Sequence, residues 1–168
     1  MPLDVTGIDH LYVAVTDLAR SVAFYDPVMR LLGFKKGTRP IAGEPHVHYF
    51  NRETQYSLRP SRGPATHDPY APGLHHLCFR VATRDDVDTA ARELRALGVA
   101  ATEPALYPEY APDYYATFFD DPDGLRLEIV ALRSGRLLVR DHWHELTEFE
   151  DPLQKAGLGA PPAKPAGR

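Results

Sequence analysis

Hydrophobic and polar positions alternate in the same way at two places along this chain. Residues 8–15 put His10, Tyr12 and Ala14 on one side and Leu11, Val13 and Val15 on the other, which is the period of a half-buried strand. Leu18, Val22, Tyr25, Val28, Met29 and Leu32 then recur at three- and four-residue spacings. Residues 17–32 therefore read as an amphipathic helix, capped by Thr16 or Asp17, stopped by Gly33, and kinked or split at Pro27. Short strands follow at residues 34–36, 47–50 and 55–58. After a Pro- and Gly-bearing linker at 60–73, residues 75–81 alternate His76, Cys78 and Arg80 with His75, Leu77, Phe79 and Val81. Asp85 or Asp86 opens a second helix, with Val87, Ala91, Leu94 and Leu97 facing inward and Gly98 ending it. Strands at 99–103, 114–119 and 125–131 complete the pattern, the last two joined by the tight turn Asp120-Asp121-Pro122-Asp123-Gly124.

The two halves stand in register. His10 and Val15 match His76 and Val81 at one constant offset, and Leu32-Gly33-Phe34 matches Leu97-Gly98-Val99 with a drift of one residue. A repeat of this length defines a duplicated supersecondary unit. The expected fold is α+β: two βαβββ modules, at about 6–60 and 72–132, forming a cup-shaped eight-stranded mixed sheet within a domain spanning 1–135. A C-terminal helical extension at 136–156, read as one helix over 136–150, and a flexible Gly/Ala/Pro tail at 157–168 are expected beyond it.

Strand parity brings in the chemistry. In Leu125-Arg126-Leu127-Glu128-Ile129-Val130, the aliphatics Leu125, Leu127 and Ile129 face the helix, so Arg126, Glu128 and Val130 face the other side. A carboxylate in the middle of an apolar strand requires a counter-charge. If the two first strands lie side by side about a pseudo-two-fold axis, His10 and His76 converge on the same face. Two imidazoles and one carboxylate on rigid strands suit Fe(II), Mn(II), Ni(II) or Zn(II), with positions left for water and substrate. The fourth place, equivalent to Glu128 in the first module, falls on Ser57, or on Gln55 if the register slips by two.

The elements Ile8-Asp9-His10-Leu11, the helix from Asp17-Leu18 through Ser21 to Phe24-Tyr25, Gly73-Leu74-His75-His76-Leu77, and Phe118-Phe119-Asp120-Asp121-Pro122-Asp123-Gly124-Leu125-Arg126-Leu127-Glu128 resemble the vicinal oxygen chelate superfamily. That superfamily includes glyoxalases, fosfomycin-modifying transferases, extradiol dioxygenases, epimerases and bleomycin-sequestering proteins. The resemblance implies a cup around a divalent metal with His10, His76 and Glu128 at ligand positions. It also implies a small substrate that chelates the metal through vicinal oxygens. A serine at position 57 looks more like the dioxygenase or transferase type than orthodox glyoxalase I, although Phe118 stands where ring-cleaving relatives tend to carry a tyrosine.

Around this centre, His48, Tyr12 and Tyr49 are candidates for proton transfer, and Arg80, Arg126, Tyr115 and Phe118 for substrate binding. His75 has the opposite parity to His76 and reads as structural or exposed. Tyr107, Tyr110, Tyr114 and Tyr115 form an aromatic segment suited to lidding a cup. His142-Trp143-His144-Glu145 has the wrong spacing for a helical metal site and reads as an amphipathic end.

A net charge of −4 and a pI near 6.0 give no case for nucleic acid or an anionic membrane, so the expected partner is a small molecule. One cysteine, no secretory leader pattern and no long apolar run place the chain in the cytosol in this reading. A homodimer is the default assembly. The rival reading is a sequestering protein that binds a planar small molecule in the same cup without chemistry.

Overall fold

Each half of the chain folds as one strand, one helix and three strands in the computed structural model, which describes residues 5–63 and 67–158. The first module runs β1 (His10–Val15), α1 (Leu18–Leu31), β2 (Lys35–Thr38), β3 (Val47–Phe50) and β4 (Gln55–Pro60). The second runs β5 (His76–Val81), α2 (Arg84–Ala96), β6 (Ala105–Leu106), β7 (Tyr115–Asp120) and β8 (Arg126–Ala131). The eight strands form two four-stranded mixed sheets of identical topology, ordered β1-β4-β3-β2 and β5-β8-β7-β6. In each, the first strand lies parallel to the last, and the other pairings are antiparallel. The parallel pair requires a crossover, which the helix supplies. Gly33 and Gly98 end the two helices with the same φ of 81°, so the repeat extends to backbone conformation.

The elements depart from the sequence reading at four points. Helix α1 runs unbroken through Pro27, because Tyr25, Val28 and Met29, all fully buried around the proline, offset the roughly 3 kcal/mol that a mid-helix proline costs. Helix α2 begins at Arg84 rather than at Asp85 or Asp86. The Thr83 side chain accepts from Asp86 N–H while the Asp86 carboxylate accepts from Thr83 N–H, a reciprocal cap. No strand forms at 99–103. Thr102 makes the one backbone–backbone bond to β7 from that segment among the described residues, its N–H donating to Phe118 O at 2.9 Å, while its hydroxyl accepts from Phe118 N–H, and the ladder is confined to Ala105–Leu106. The C-terminal helix is shorter than 136–150: α3 (Ser134–Asp141) is followed by a 3-10 turn at Trp143–Glu145 and a short α4 (Pro152–Lys155). None of these three elements has a buried residue, and a long helix without a packed face has little to sustain it. Of the expected flexible tail, residues 159–168 lie outside the described residues.

The helix-bearing sides of the two sheets share one core. Phe79 on β5 packs against Tyr56 on β4 and against Phe34 (centroids 6.2 and 6.0 Å apart), and Phe24 on α1 meets Phe119 on β7 at 6.5 Å. Polar contacts reinforce this seam. Tyr25 on α1 donates its hydroxyl to Asp121 at 2.8 Å and lies 2.8 Å from the Tyr56 hydroxyl, and Asp123 accepts from Thr16 N–H and from Arg20. Since β4 and β5 meet through their helix-facing sides, the opposite sides, which carry His10 and His76, turn away from one another within the chain. Strands β1 and β5 are also sheet edges, each with a single hydrogen-bonded neighbour among the described residues.

Candidate metal centre

Register fixes which side chains share each outward face. In the second module Cys78 and Phe118 lie opposite Glu128, and Arg126 lies opposite His76. Glu128 is 1 % exposed. Its Oε2 lies 3.3 Å from His76 Nε2, and its Oε1 accepts a hydrogen bond from the Tyr114 hydroxyl at 2.6 Å. Among the described residues it has no Lys or Arg within ion-pair distance. Burial and the adjacent Glu128 carboxylate push the Cys78 thiol and the Tyr114 hydroxyl up from their ordinary values. Both therefore stay protonated beside the carboxylate, and Tyr114 remains a donor.

The first module repeats this geometry with different residues. Tyr12 and His48 lie opposite Ser57, and His10 lies opposite Gln55. Ser57 thus stands two positions from the histidine's partner, as Glu128 does in the second module, and no slip in register brings Gln55 there. The place of a carboxylate is filled by a neutral network: Gln55 Nε2 donates to Ser57 Oγ at 2.9 Å, and Ser57 Oγ lies 2.9 Å from His48 Nδ1. His48 is 8 % exposed, and its Nε2 makes no hydrogen bond among the described residues. Burial lowers its proton affinity, with the charges of Arg39 and His46 adding to the effect, so the ring is neutral. It stacks on His46 at 6.1 Å and meets the edge of Tyr12 at the same distance. The Tyr12 side chain is 39 % exposed on this face.

Each candidate histidine has its Nδ1 engaged by its chain neighbour. His10 Nδ1–H donates to Asp9 Oδ2 at 2.7 Å, and His76 Nδ1 lies 2.7 Å from His75 Nδ1. That leaves Nε2 of both rings for other partners, the arrangement that orients metal-bound histidines. His75, read from parity as structural or exposed, is exposed and is also the residue that engages His76.

His76 and Glu128 are brought together within the chain. His10 is not: among the described residues no three His, Cys, Asp or Glu side chains cluster. Other candidates separate by face. Tyr49 is buried on the helix side of β3, where it donates to Asp26 at 2.7 Å, apart from His48. Tyr115 points toward α2, donating to Asp88 at 2.7 Å beneath the Arg84 guanidinium. Phe118 stays on the Glu128 face, against Tyr107 at 5.2 Å. Arg126 lies 3.9 Å from Asp120, and Arg80 is exposed with no ion pair among the described residues. The residue that the parity reading passed over is Tyr114. Alternation back from Phe118 through Ala116 puts it on the Glu128 face and Tyr115 on the helix side, so the signal that would have found it lies in the same strand pattern.

Two βαβββ modules, with a histidine at matching places in both and a buried glutamate in the last strand, define a superfamily. The chain belongs to the Glyoxalase/Bleomycin resistance protein/Dioxygenase superfamily, whose family model matches residues 7–129. It is 33% identical over 140 residues to the uncharacterized protein YaeR of Escherichia coli (strain K12), a match covering 76% of this chain and 97% of that one. Among solved structures it is similar to the glyoxalase family protein from Enterococcus faecalis, with 25% identity and a TM-score of 0.57 over 74% of this chain and 97% of that one. It shares the fold of the genomically encoded fosfomycin resistance protein FosX from Listeria monocytogenes, with 16% identity and a TM-score of 0.58 over 79% of this chain and 98% of that one. No helix among the described residues is long and apolar enough to cross a membrane.

Proposed function

We propose that this protein is a metal-dependent enzyme acting on a small substrate with vicinal oxygens, through a three-ligand site of His76 and Glu128 from one copy and His10 from a second. The observation that carries the reading is the pair of histidines whose Nδ1 atoms are held by Asp9 and His75 while Nε2 stays available, one of them 3.3 Å from a buried carboxylate without a cationic partner. Borderline nitrogen and oxygen donors fit Fe(II), Mn(II), Ni(II) or Zn(II). The need for a second copy follows from the outward-turned faces and the free edges of β1 and β5, because an unpaired strand edge is the natural place for another chain to align.

When bound, such an ion supplies Lewis acidity that stabilises negative charge developing on a chelated substrate oxygen. The chain's own groups do the rest. His48, neutral and tied to Ser57, and the Tyr12 hydroxyl lie on the His10 face, where the imidazole accepts a substrate proton and the phenol donates one. Arg80, exposed on the His76 face, attracts an anionic substrate group. Phe118 and Tyr107 give that face an apolar wall.

Protein purified without chelators or a His tag is expected to carry about one equivalent of a transition metal per chain by elemental analysis. If none is found, even after anaerobic reconstitution with each of the four ions, the catalytic reading is lost and sequestration of a planar molecule by the same faces takes its place.

A further inference from the structure

The C-terminal extension reaches the candidate centre through one residue, Tyr114. Its hydroxyl donates to Glu128 Oε1 at 2.6 Å, while Oε2 is the oxygen near His76 Nε2. The tyrosine ring lies beneath the Arg133 guanidinium at 4.9 Å and against Tyr110 at 5.2 Å. Its chain neighbour Asp113 accepts a 2.6 Å hydrogen bond from Ser134 N–H, the first residue of α3. Arg133 and Ser134 thus clamp the segment just before β7 from the far side of the glutamate.

We propose that Tyr114 is the positioning residue of this centre: it occupies Oε1 so that Glu128 presents Oε2 alone beside His76, and the start of the C-terminal extension holds Tyr114 in place. The proposal rests on the metal reading above. A carboxylate free at both oxygens binds a cation through one or both. A short hydrogen bond from a neutral donor to one of them selects the single-oxygen mode and fixes its direction. The tyrosine is partly buried, and the cation over its ring restrains it without touching the carboxylate. The extension acquires a role that its lack of buried residues would not suggest.

The test is cobalt(II) titration of the wild-type protein and Tyr114→Phe, read by visible absorption and by competition with a chromogenic chelator. Removing the hydroxyl is expected to weaken cobalt about 10- to 100-fold, the usual effect of losing a partner that orients a ligand. It is also expected to lower the cobalt absorptivity as Glu128 binds through both oxygens. A residue that only supported the fold would leave that spectrum unchanged. Arg133→Gln, which leaves the hydroxyl in place, is expected to shift affinity in the same direction by less, and it gives the same readout if Tyr114→Phe does not fold. Cobalt binding and a spectrum in Tyr114→Phe identical to wild type overturn the role of Tyr114 and leave the metal reading standing. Failure of the wild-type protein to bind cobalt overturns both.

Discussion

Asp121→Ala is expected to destabilise the folded chain by about 3 kcal/mol, the scale for stranding several buried donors at once. That corresponds to a fall of roughly 9 °C in melting temperature for a chain of this size. Asp121 is 6 % exposed. One carboxylate oxygen accepts from Asp123 N–H at 2.9 Å and Leu125 N–H at 2.8 Å, and the other accepts from the Tyr25 hydroxyl at 2.8 Å. The first two bonds close the turn between β7 and β8, and the third ties that turn to α1 of the other module. Alanine leaves the Tyr25 hydroxyl and the Leu125 amide buried without that acceptor. Asp121→Asn retains one acceptor oxygen and is expected to cost less than half as much.

The same pair of variants gives a pH dependence with a definite sign. Burial raises the Asp121 carboxyl above its ordinary value, despite the hydrogen bonds from Leu125, Tyr25 and Asp123 that oppose it. The folded state therefore keeps a proton that the unfolded chain has already released. Its stabilising contribution is fully present below the unfolded value, about 4, and is lost as pH rises through the folded one. Wild type should accordingly gain on Asp121→Asn as pH is lowered from neutrality, measured as the difference between their denaturant midpoints. This difference isolates Asp121 from carboxyls such as Asp26, which pull the other way. There burial alone would raise the carboxyl, but the Lys36 ammonium and the Tyr49 hydroxyl outweigh it and hold it low. An unchanged melting temperature in Asp121→Ala would mean that the Asp121 hydrogen bonds contribute nothing to joining the modules.

Much of this architecture is legible in the sequence because each module buries its own pattern. Alternation about His10, His76 and Glu128 assigns faces correctly, since a strand that reversed its parity would expose Leu127 and Ile129, both fully buried. The face of Ser57 follows from the same alternation, while its pairing with Tyr12 is a matter of register that the structure supplies. What the pattern does not carry is how the modules meet. The residues that decide it, Phe79 against Tyr56 and Tyr25 against Asp121, would be buried on the helix side in either packing, so their hydrophobicity is the same signal for both. Which side chains are free to act is a separate matter from which face they share. Tyr114 and Tyr115 are chemically alike, and parity counted back from Phe118 sends one to Glu128 and the other to Asp88. Tyr49 looks available from its position beside His48, yet its hydroxyl is committed to Asp26.

Complementation between two broken chains is expected to restore a site that neither possesses. His10→Ala homodimers lack the first-module ligand at both cups, and Glu128→Ala homodimers lack the second-module carboxylate at both. Loss of a direct ligand from a three-ligand set removes tight binding altogether. If each cup is built from the first module of one copy and the second module of the other, a heterodimer of the two variants has one cup missing both residues. The other cup is intact. Co-expressing the variants with different affinity tags and isolating the mixed dimer should therefore return about half of the wild-type metal per chain, by the two-fold logic of the assembly. A cup formed within each chain predicts a mixed dimer as empty as its parents, because every chain would then carry its own defect. Recovery in the mixed dimer would also explain why His10 and His76 turn apart within one chain while both keep Nε2 unengaged by their chain neighbours. On that arrangement their common partner would be reached when the free edges of β1 and β5 from two copies align.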